Sequence, residues 1–357
     1  MKKAVLYEKL KNGFVRCTCC HHRCMIAPGQ SGTCAVRQNI DGDLYLRVYG
    51  RAVAVNIDPI EKKPFFHFLP GSRVFSFGTV GCNFKCSFCQ NWDISQALEN
   101  VRKQYASRDK SEIMIGKICA EGQDLSPKHI VDYCLEHDIL TIAYTYNEPT
   151  IFAEYAADTA KLAKKHGIKN VFVSNGYESE ECLKFMRGWC DAINIDIKAY
   201  SDKFYSQFCG AKLKNVLDTV KMAWAMGFWL ECTTLVIPGL NDSDKELSDI
   251  AKYIAGISVE IPWHTTAFHP FYKMNDRDST PASTLLRAHE IGKKAGLKFV
   301  YSGNIPGVDN EDTVCPKCGE VLIQRYGMSC LKNIIKVDKK GSGSCPKCNE
   351  KIYGIWK

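Results

Sequence analysis

The sequence predicts an α/β protein built on a full or partial (β/α) barrel of the TIM-like type, with a small cysteine-rich module at each end. Three observations lead to this fold class. Apolar, β-rich segments alternate with helical segments through the middle of the chain, which is typical of a parallel sheet covered on both faces. Polar residues directly follow successive strands, which favours a barrel over a doubly wound open sheet. Cysteines cluster near both termini, which predicts the two flanking modules.

The repeating unit is read from the alternation of strand and helix patterns. Ser126 caps the first helix and Pro127 opens it, whereas Gly167 ends the second. The predicted strands are 72–79, 139–146, 169–175, 191–198, 228–237, 262–269 and 297–303. The predicted helices between them are about 127–137, 150–167, 179–188, 215–227, 244–255 and 281–296.

Candidate site residues stand where the predicted strands end. In a parallel barrel the carboxyl ends of the strands meet at one rim, so side chains at those positions converge on one site. The last strand runs into a turn with Gly303, Asn304, Pro306 and Gly307, whose backbone N–H groups can face a ligand; an ordinary loop is the alternative. The strand-end residues are Cys82, Asn147, Glu148, Ser174, Asn175, Asp196, Lys198, Gly303 and Asn304.

The central cysteine motif, GCNFKCSFCQNW, predicts an iron–sulfur cluster with an open coordination position. Cys82, Cys86 and Cys89 follow a strand with the spacing C-x3-C-x2-C. Three thiolates hold three corners of a cubane cluster. No further cysteine follows for 29 residues, so one iron is left free to bind a substrate or cofactor. The alternative is a three-thiolate zinc site.

The N-terminal cysteines predict a second metal site. Cys17, Cys20, Cys24 and Cys34 lie within 18 residues, with turn-forming glycine and proline between them. Four thiolates suit zinc and an auxiliary iron–sulfur cluster equally, so the sequence leaves both open. His21 or His22 can replace one of the four thiols as a ligand, and Cys19 is a further thiol that the site does not need.

The C-terminal cysteines predict a structural zinc site. Cys315 and Cys318 form one C-x2-C knuckle and Cys345 and Cys348 form another, with 26 residues between the two knuckles. This is a zinc-ribbon pattern, and four protein thiolates leave no open position for chemistry. A rubredoxin-like iron site is the runner-up.

Bulk composition limits the class of protein. We predict three domains, at 1–70, 71–309 and 310–357. The start of the chain lacks the apolar run of a signal peptide, and no segment is apolar for the ~18 residues of a membrane span, which predicts a cytoplasmic protein. Disulfides are unlikely in a reducing compartment, so the clustered thiols among the 19 cysteines indicate metal ligands. The net charge of +8 is spread along the chain without an aromatic-interleaved basic motif, which disfavours nucleic-acid binding.

With these motifs in place, the chain resembles the radical SAM superfamily, whose signature is C-x3-C-x-aromatic-C, with Phe88 in the aromatic position. The resemblance implies that a [4Fe–4S] cluster binds S-adenosylmethionine (SAM) and cleaves it reductively to methionine and a 5′-deoxyadenosyl radical, which abstracts hydrogen from a substrate. It implies that Asn147 and Glu148 match the Gly-Gly-Glu-Pro motif, although the two glycines are missing, and that Glu148 accepts hydrogen bonds from the SAM ammonium. It also implies contacts to SAM from Ser174 and Asn175, and from Asp196 and Lys198 of an Asp-x-Lys motif.

A closer resemblance extends over the whole chain. The stretches CCHHRC, GTCAVRQN, DPIEKKPFFHFLPGS, CQNWDISQ and YSGNIPG resemble the radical SAM protein of the AmmeMemoRadiSam system, a family similar to pyruvate formate-lyase activating enzymes. The resemblance implies a Memo-type partner, a companion protein of the same system, and a one-electron donor such as ferredoxin or flavodoxin. It does not identify the substrate.

The sequence leaves four functions open. The first is a radical SAM enzyme acting on a small or carrier-bound metabolite. The second is an activase that abstracts hydrogen from a glycine of a partner enzyme. The third is RNA modification, which is less well supported because it rests only on the basic charge and the zinc ribbon. The fourth is a non-enzymatic metal-binding scaffold, which is less well supported because it does not explain why the central motif lacks a fourth thiol.

One charged loop precedes the first predicted strand of the barrel. It carries Asp58, Glu61, Lys62, Lys63 and His67 between prolines. Its charges either dock a substrate or partner over the mouth of the barrel, or form a solvated linker.

Overall fold

In a computed structural model, which describes residues 1–305 and 310–357, the centre of the protein is an eight-stranded sheet with the order β16-β15-β14-β13-β12-β11-β9-β8. Seven of these strands are parallel, and β8 pairs antiparallel with β9. Before the sheet come β1 (Lys2–Lys3), β2 (Tyr7–Lys9), β3 (Val15–Cys17), β4 (Met25–Ile26), β5 (Arg37–Ile40), β6 (Asp43–Leu46) and β7 (Arg51–Ala52). The sheet and its short neighbour β10 comprise β8 (Ala54–Pro59), β9 (Arg73–Gly78), β10 (Gln123–Asp124), β11 (Thr141–Tyr144), β12 (Lys169–Ser174), β13 (Ala192–Asp196), β14 (Trp229–Val236), β15 (Trp263–Ala267) and β16 (Val300–Gly303). After the sheet come β17 (Thr313–Val314), β18 (Val321–Tyr326), β19 (Ser329–Asn333), β20 (Lys336–Val337), β21 (Gly343–Ser344) and β22 (Lys351–Ile352).

Helices connect the parallel strands, as the alternating pattern predicts. Several begin where a serine side chain accepts a hydrogen bond from a backbone N–H of the first turn, as Ser126, Ser179 and Ser243 do. The helices are α1 (Trp92–Ser95), α2 (Ala97–Gln104), α3 (Arg108–Glu121), α4 (Pro127–Glu136), α5 (Ala153–Lys164), α6 (Glu180–Met186), α7 (Asp202–Phe204), α8 (Leu213–Ala225), α9 (Asp244–Ile257) and α10 (Ala282–Lys294). None of the helices in the described residues is both long and apolar enough to cross a membrane.

The predicted α/β fold is confirmed, and of the two predicted forms the partial barrel is the one observed. Among the described strands, β8 and β16 are the two edges of the sheet and do not pair with each other. The segment that forms β8 was not part of the predicted barrel, yet Ala54–Pro59 extends the sheet by one antiparallel strand. The predicted boundary at residue 70 therefore falls inside a hairpin of the central sheet.

The charged loop between β8 and β9 lies inside the barrel and is not a solvated linker. Asp58, Glu61, Lys63 and His67 are buried, while Lys62 stays exposed at 44% of its side chain. Phe65 and Phe68, from the same loop, pack against the first residues of the parallel strands. The loop, residues 60–71, thus closes the amino end of the barrel, and we call it the floor loop.

Glu231 of β14 holds the floor loop in place. Its carboxylate accepts hydrogen bonds from the backbone N–H groups of Phe66 and His67, both at 3.0 Å. It also accepts from Trp229 Nε1 at 3.1 Å and from His264 Nε2 at 2.7 Å. Four donors on one fully buried carboxylate offset the cost of burying its charge.

The C-terminal module contacts both edges of the open barrel. Thr313 of β17 hydrogen-bonds to Tyr301 of β16 at 2.9 Å. On the other side Arg325 of β18 lies 3.7 Å from Glu61, which directly follows β8, with both side chains fully buried. Arg325 also donates to the backbone oxygen of Phe66 at 2.7 Å. The module therefore bridges the gap that the sheet leaves open.

Candidate active site

One cavity of about 470 Å³ opens at the carboxyl ends of the strands. A volume of this size is typical of a small-molecule site. Residues from the ends of six of the parallel strands line the cavity together with the cysteine loop that follows β9, and the floor loop lines it from below. All the strand-end residues singled out in the sequence, together with Phe88, lie on its wall: Cys82, Cys86, Phe88, Cys89, Asn147, Glu148, Ser174, Asn175, Asp196, Lys198, Gly303 and Asn304.

Asn147 positions the loop that carries the three cysteines. Its Oδ1 accepts from Thr79 N at 3.0 Å, and its Nδ2 donates to Gly81 O at 2.8 Å. The approach of the two strand ends is close, because a Cβ on Gly78 would lie 2.5 Å from the backbone oxygen of Thr145. The asparagine that departs from the expected glycine pair therefore has a structural role, which is to tie the end of β9 to the end of β11.

The three thiols suit a cluster better than a single ion. A hydrogen bond from Phe84 N reaches Cys82 Sγ at 3.4 Å, and Cys89 Sγ lies 3.2 Å from Ser95 Oγ. A four-coordinate zinc with Zn–S bonds of about 2.3 Å brings its sulfurs to about 3.8 Å from one another. In residues 1–305 and 310–357, Cys82, Cys86 and Cys89 are not all within 4.8 Å of one another. A cluster places each thiolate on a different iron and so needs this wider spacing.

A fourth thiol lies beside the three. Cys209, which no sequence motif singles out, is close enough to Cys86 that its thiol raises the pKa of Cys86 well above its ordinary value. Cys209 belongs to a π turn over Tyr205–Cys209, and its backbone oxygen accepts from Lys85 N at 2.8 Å. It is fully buried and is not among the described residues that line the cavity.

Glu148 is the most strongly hydrogen-bonded carboxylate on the wall. Its Oε1 accepts from Thr150 N at 3.0 Å, Thr150 Oγ1 at 2.6 Å and Ser174 Oγ at 3.0 Å, and its Oε2 accepts from Asn175 N at 2.7 Å. Burial, reinforced by the nearby carboxylate of Glu178, raises the pKa of Glu148 to about 8. The carboxylate links the ends of β11 and β12, and its predicted contact with the SAM ammonium stays a prediction.

Asn175 offers a free acceptor on the same wall. Its Nδ2 donates to Asn83 Oδ1 at 2.8 Å, whereas its Oδ1 is buried with no hydrogen-bond partner among the described residues. Buried oxygens of this kind are normally satisfied by a ligand or water. The donor set of the three thiols and this open acceptor therefore fit a cluster with a polar ligand beside it.

Asp196 and Lys198 form an ion pair at the end of β13. Lys198 Nζ lies 2.7 Å from Asp196 Oδ2 and 5.7 Å from the centre of the Phe88 ring. Burial alone would lower the pKa of Lys198, but the Asp196 carboxylate raises it well above its ordinary value. Lys198 therefore keeps its positive charge beside Cys86 and Cys89, balanced by the negative charge of Asp196.

The turn after β16 starts at the cavity wall. Asn304 has a left-handed backbone with φ of 61°, and its Nδ2 donates to Ala267 O at 2.9 Å. Its side chain thus joins the end of β16 to the end of β15. The predicted turn residues Pro306 and Gly307 lie outside the described residues.

The cavity wall also includes Lys63, which the charged loop of the sequence had indicated, and further residues that sequence reasoning missed. Lys63 of the floor loop forms an ion pair with Asp58 at 2.7 Å, and its Nζ lies 4.6 Å from the ring centre of Tyr146. Glu311 and Met328 reach the cavity from the C-terminal module. Burial raises the pKa of Glu311 to about 7. Only the density of charge in DPIEKKP signalled Lys63; no local pattern signals Glu311 or Met328.

The terminal cysteine sets are each brought together. Cys17, Cys20, Cys24 and Cys34 line a second, smaller cavity. The four C-terminal thiols all lie within 4.8 Å of one another, with 3.6 Å between Cys315 and Cys348 and 3.7 Å between Cys318 and Cys345. This spacing matches the ~3.8 Å of a tetrahedral four-thiolate site.

Comparison with known proteins finds one matching family, similar sequences and similar structures. Residues 77–254 match the model of the radical SAM superfamily. The chain is 40% identical to an uncharacterised protein of Methanocaldococcus jannaschii over 353 residues, which is 99% of each chain. It is 24% identical to the pyruvate formate-lyase-activating enzyme of Clostridium pasteurianum over 220 residues, which is 58% of this chain and 81% of that enzyme. Among solved structures, a radical SAM methyltransferase from Sphaerobacter thermophilus matches with a TM-score of 0.46 and 13% identity, over 67% of this chain and 68% of the other.

Proposed function

The chain belongs to the radical SAM superfamily, and from that premise we propose that it abstracts hydrogen from a small-molecule substrate held in the 470 Å³ cavity. Cys82, Cys86 and Cys89 would hold the [4Fe–4S] cluster of the family. The cluster and SAM, when bound, supply a 5′-deoxyadenosyl radical by one-electron cleavage of SAM.

The observation that carries the proposal is the convergence of three separate parts of the chain on one cavity. The loop after β9 contributes the thiols, and the ends of the parallel strands contribute the polar wall. The floor loop forms the bottom of the cavity. Asn175 Oδ1 and the Asp196–Lys198 pair offer contacts of both charges to a zwitterionic ligand. The cofactor must share this space with the substrate, which favours a substrate of small size.

The floor loop and the C-terminal module exclude water from the base of the cavity. Phe66 stacks edge-on with His264, with 4.8 Å between ring centres, and lies under the guanidinium of Arg325 at 4.2 Å. A reactive radical requires such a shielded site, because side reactions compete once solvent enters. Lys62 is the exposed cation of the floor loop on the cavity wall and is our candidate for contacting an anionic group of the substrate.

We further propose zinc at Cys315, Cys318, Cys345 and Cys348, supported by their tetrahedral spacing. From the family resemblance we propose a Memo-type protein and its companion as partners, and ferredoxin or flavodoxin as the electron donor.

The test is anaerobic production of 5′-deoxyadenosine by the reconstituted, dithionite-reduced protein. We expect product from the wild type and from Cys209→Ala, and none from Cys86→Ala. The Cys209 variant is the matched control, since its thiol adjoins Cys86 but lies off the cavity wall. Loss of cluster and product in both variants would make Cys209 a fourth ligand and would overturn the open coordination position.

Activation of a glycyl-radical enzyme is the second candidate, favoured by the similarity to the pyruvate formate-lyase-activating enzyme of Clostridium pasteurianum. In that case the cavity would receive a glycine-bearing loop of another protein. Incubation with an extract of the source cells would then yield a glycyl radical signal and, after exposure to air, a cleaved polypeptide. Turnover with extract from which macromolecules have been removed would instead support a small-molecule substrate.

A further inference from the structure

A second cysteine-lined cavity lies directly behind the Cys82 loop. The two sites adjoin: a Cβ on Gly81 would lie 2.8 Å from the backbone oxygen of Cys34. Asn83, which follows Cys82, lines the second cavity. The thiols on its wall come from β3, from the turn after it and from the approach to β5: Cys17, Cys19, Cys20, Cys24 and Cys34.

These thiols are not gathered as closely as the four C-terminal thiols. In the part of the chain that the structure describes, no three of them lie within 4.8 Å of one another, whereas the four C-terminal thiols do. One zinc ion would hold its four sulfurs at about 3.8 Å. The N-terminal thiols share a cavity but stay farther apart, as ligands of different metal atoms do.

Two buried donors on the cavity wall have no partner in the described residues. Arg37 is only 2% exposed, and although its terminal nitrogens pair with Glu154 at 2.7 Å, its Nε makes no hydrogen bond there. Asn83 is equally buried, and its Nδ2 makes none. Orphaned buried donors of this kind call for an acceptor that completes the site. Thiolate and inorganic sulfide are such acceptors.

The other candidate ligands are occupied elsewhere. Cys19 Sγ lies 3.0 Å from Thr150 O and 4.0 Å from Cys182 Sγ. His22 Nε2 donates to Asn83 O at 2.8 Å. Cys24 Sγ, by contrast, accepts a hydrogen bond from Thr33 N at 3.4 Å, as cluster-bound thiolates commonly do.

We propose that Cys17, Cys20, Cys24 and Cys34 hold a second iron–sulfur cluster, with all irons ligated by protein and with Arg37 and Asn83 donating to its sulfur atoms. Four cysteines leave no iron open, so this cluster does not bind SAM. The assignment stands independently of the central site, since none of its ligands is a ligand there.

The experiment removes the ligands of the central cluster and measures how much iron and sulfide the protein still binds. The triple variant Cys82→Ala, Cys86→Ala, Cys89→Ala is reconstituted with iron and sulfide under anaerobic conditions and analysed for iron, acid-labile sulfide and zinc. If the two clusters are of equal size, we expect about half of the wild-type iron and sulfide to remain, in equal amounts. Adding Cys24→Ser and Cys34→Ser should remove this remainder and leave the zinc of the C-terminal site.

Two outcomes would overturn the proposal. One is a triple variant that keeps no sulfide; the other is a second zinc ion in place of iron. Iron and zinc X-ray absorption of the wild type gives the same answer without a variant, because zinc at both terminal sites doubles the zinc content. Electron paramagnetic resonance adds a further check, since the signal left in the triple variant should not change when SAM is added.

Discussion

Glu231→Gln tests the role of the floor loop most directly. Four donors converge on this buried carboxylate, from Phe66, His67, Trp229 and His264. Glutamine keeps the shape but offers one acceptor oxygen, so at least two donors face an amide N–H instead. Each buried donor left unsatisfied costs about 1–3 kcal/mol, which gives a loss of roughly 2–6 kcal/mol.

The expected shift in melting temperature follows from the length of the chain. At about 2.1 cal/mol/K per residue, unfolding of 357 residues carries about 0.75 kcal/mol/K of entropy, so a loss of about 4 kcal/mol lowers the Tm by about 5 °C. Differential scanning calorimetry measures the shift. Iron bound per folded chain should not change, because Asn147 anchors the cysteine loop at the opposite end of the barrel.

The matched control is Glu180→Gln on the surface of α6. Glu180 pairs with Lys184 at 2.7 Å, with both side chains more than half exposed, and such pairs contribute about 0.3–0.5 kcal/mol. The Tm of this variant should stay within about 1 °C of the wild type. If Glu231→Gln unfolds at the same temperature as the control, the carboxylate does not hold the floor loop and the reasoning is wrong.

Three further predictions concern the site and the terminal module. Gly78→Ala should destabilise the protein by about 1–3 kcal/mol, because the new Cβ would meet a backbone oxygen. Gly116→Ala should instead stabilise it by about 0.5–1 kcal/mol, because Gly116 lies inside α3 with open space around it and alanine favours the helix. Urea denaturation measures the free energy of unfolding of both variants. Burial raises the pKa of Glu148 from 4.5 to about 8 in the folded protein, so the contribution of this one group to stability is greatest below pH 4.5, falls as the pH rises to about 8 and is flat above. Glu178→Gln should make the fall in stability between these pH values shallower, and an unchanged pH profile would contradict the influence of Glu178 on Glu148. Cys318→Ser should release zinc and expose residues 310–357 to limited proteolysis while the barrel stays intact; equal resistance of the two proteins would rule out a structural role for the metal.

Local patterns predicted the core of the fold. Strands from Arg73–Gly78 to Val300–Gly303 were recognised as apolar runs, and serine caps such as Ser126 marked where helices begin. The helices α2 and α3 went unpredicted, because α3 carries charges through its first turns and contains Gly116, which weakens a helical pattern.

The burial of the floor loop could not be predicted from the local sequence pattern. A run of Asp, Glu, Lys and His is typical of a solvated surface, yet here Asp58 pairs with Lys63 and Glu61 lies against Arg325, 264 residues away in the chain. Such burial depends on partners that are distant in sequence. The spacing of residues within the loop does not indicate which distant residues these partners are.

The order and spacing of residues were enough to predict the α/β fold, the thiol triad and the rim residues that share its cavity. These follow from short-range rules, because the period of a strand, the cap of a helix and the spacing of thiolates on one loop are local properties. The tertiary structure alone decided that the barrel is open, that the floor loop and the C-terminal module complete it, and that Cys209 adjoins Cys86. It also separated the two terminal cysteine sets by their sulfur spacing. Those features depend on which distant segments pack together, and packing is settled by the whole buried surface rather than by any one stretch of chain.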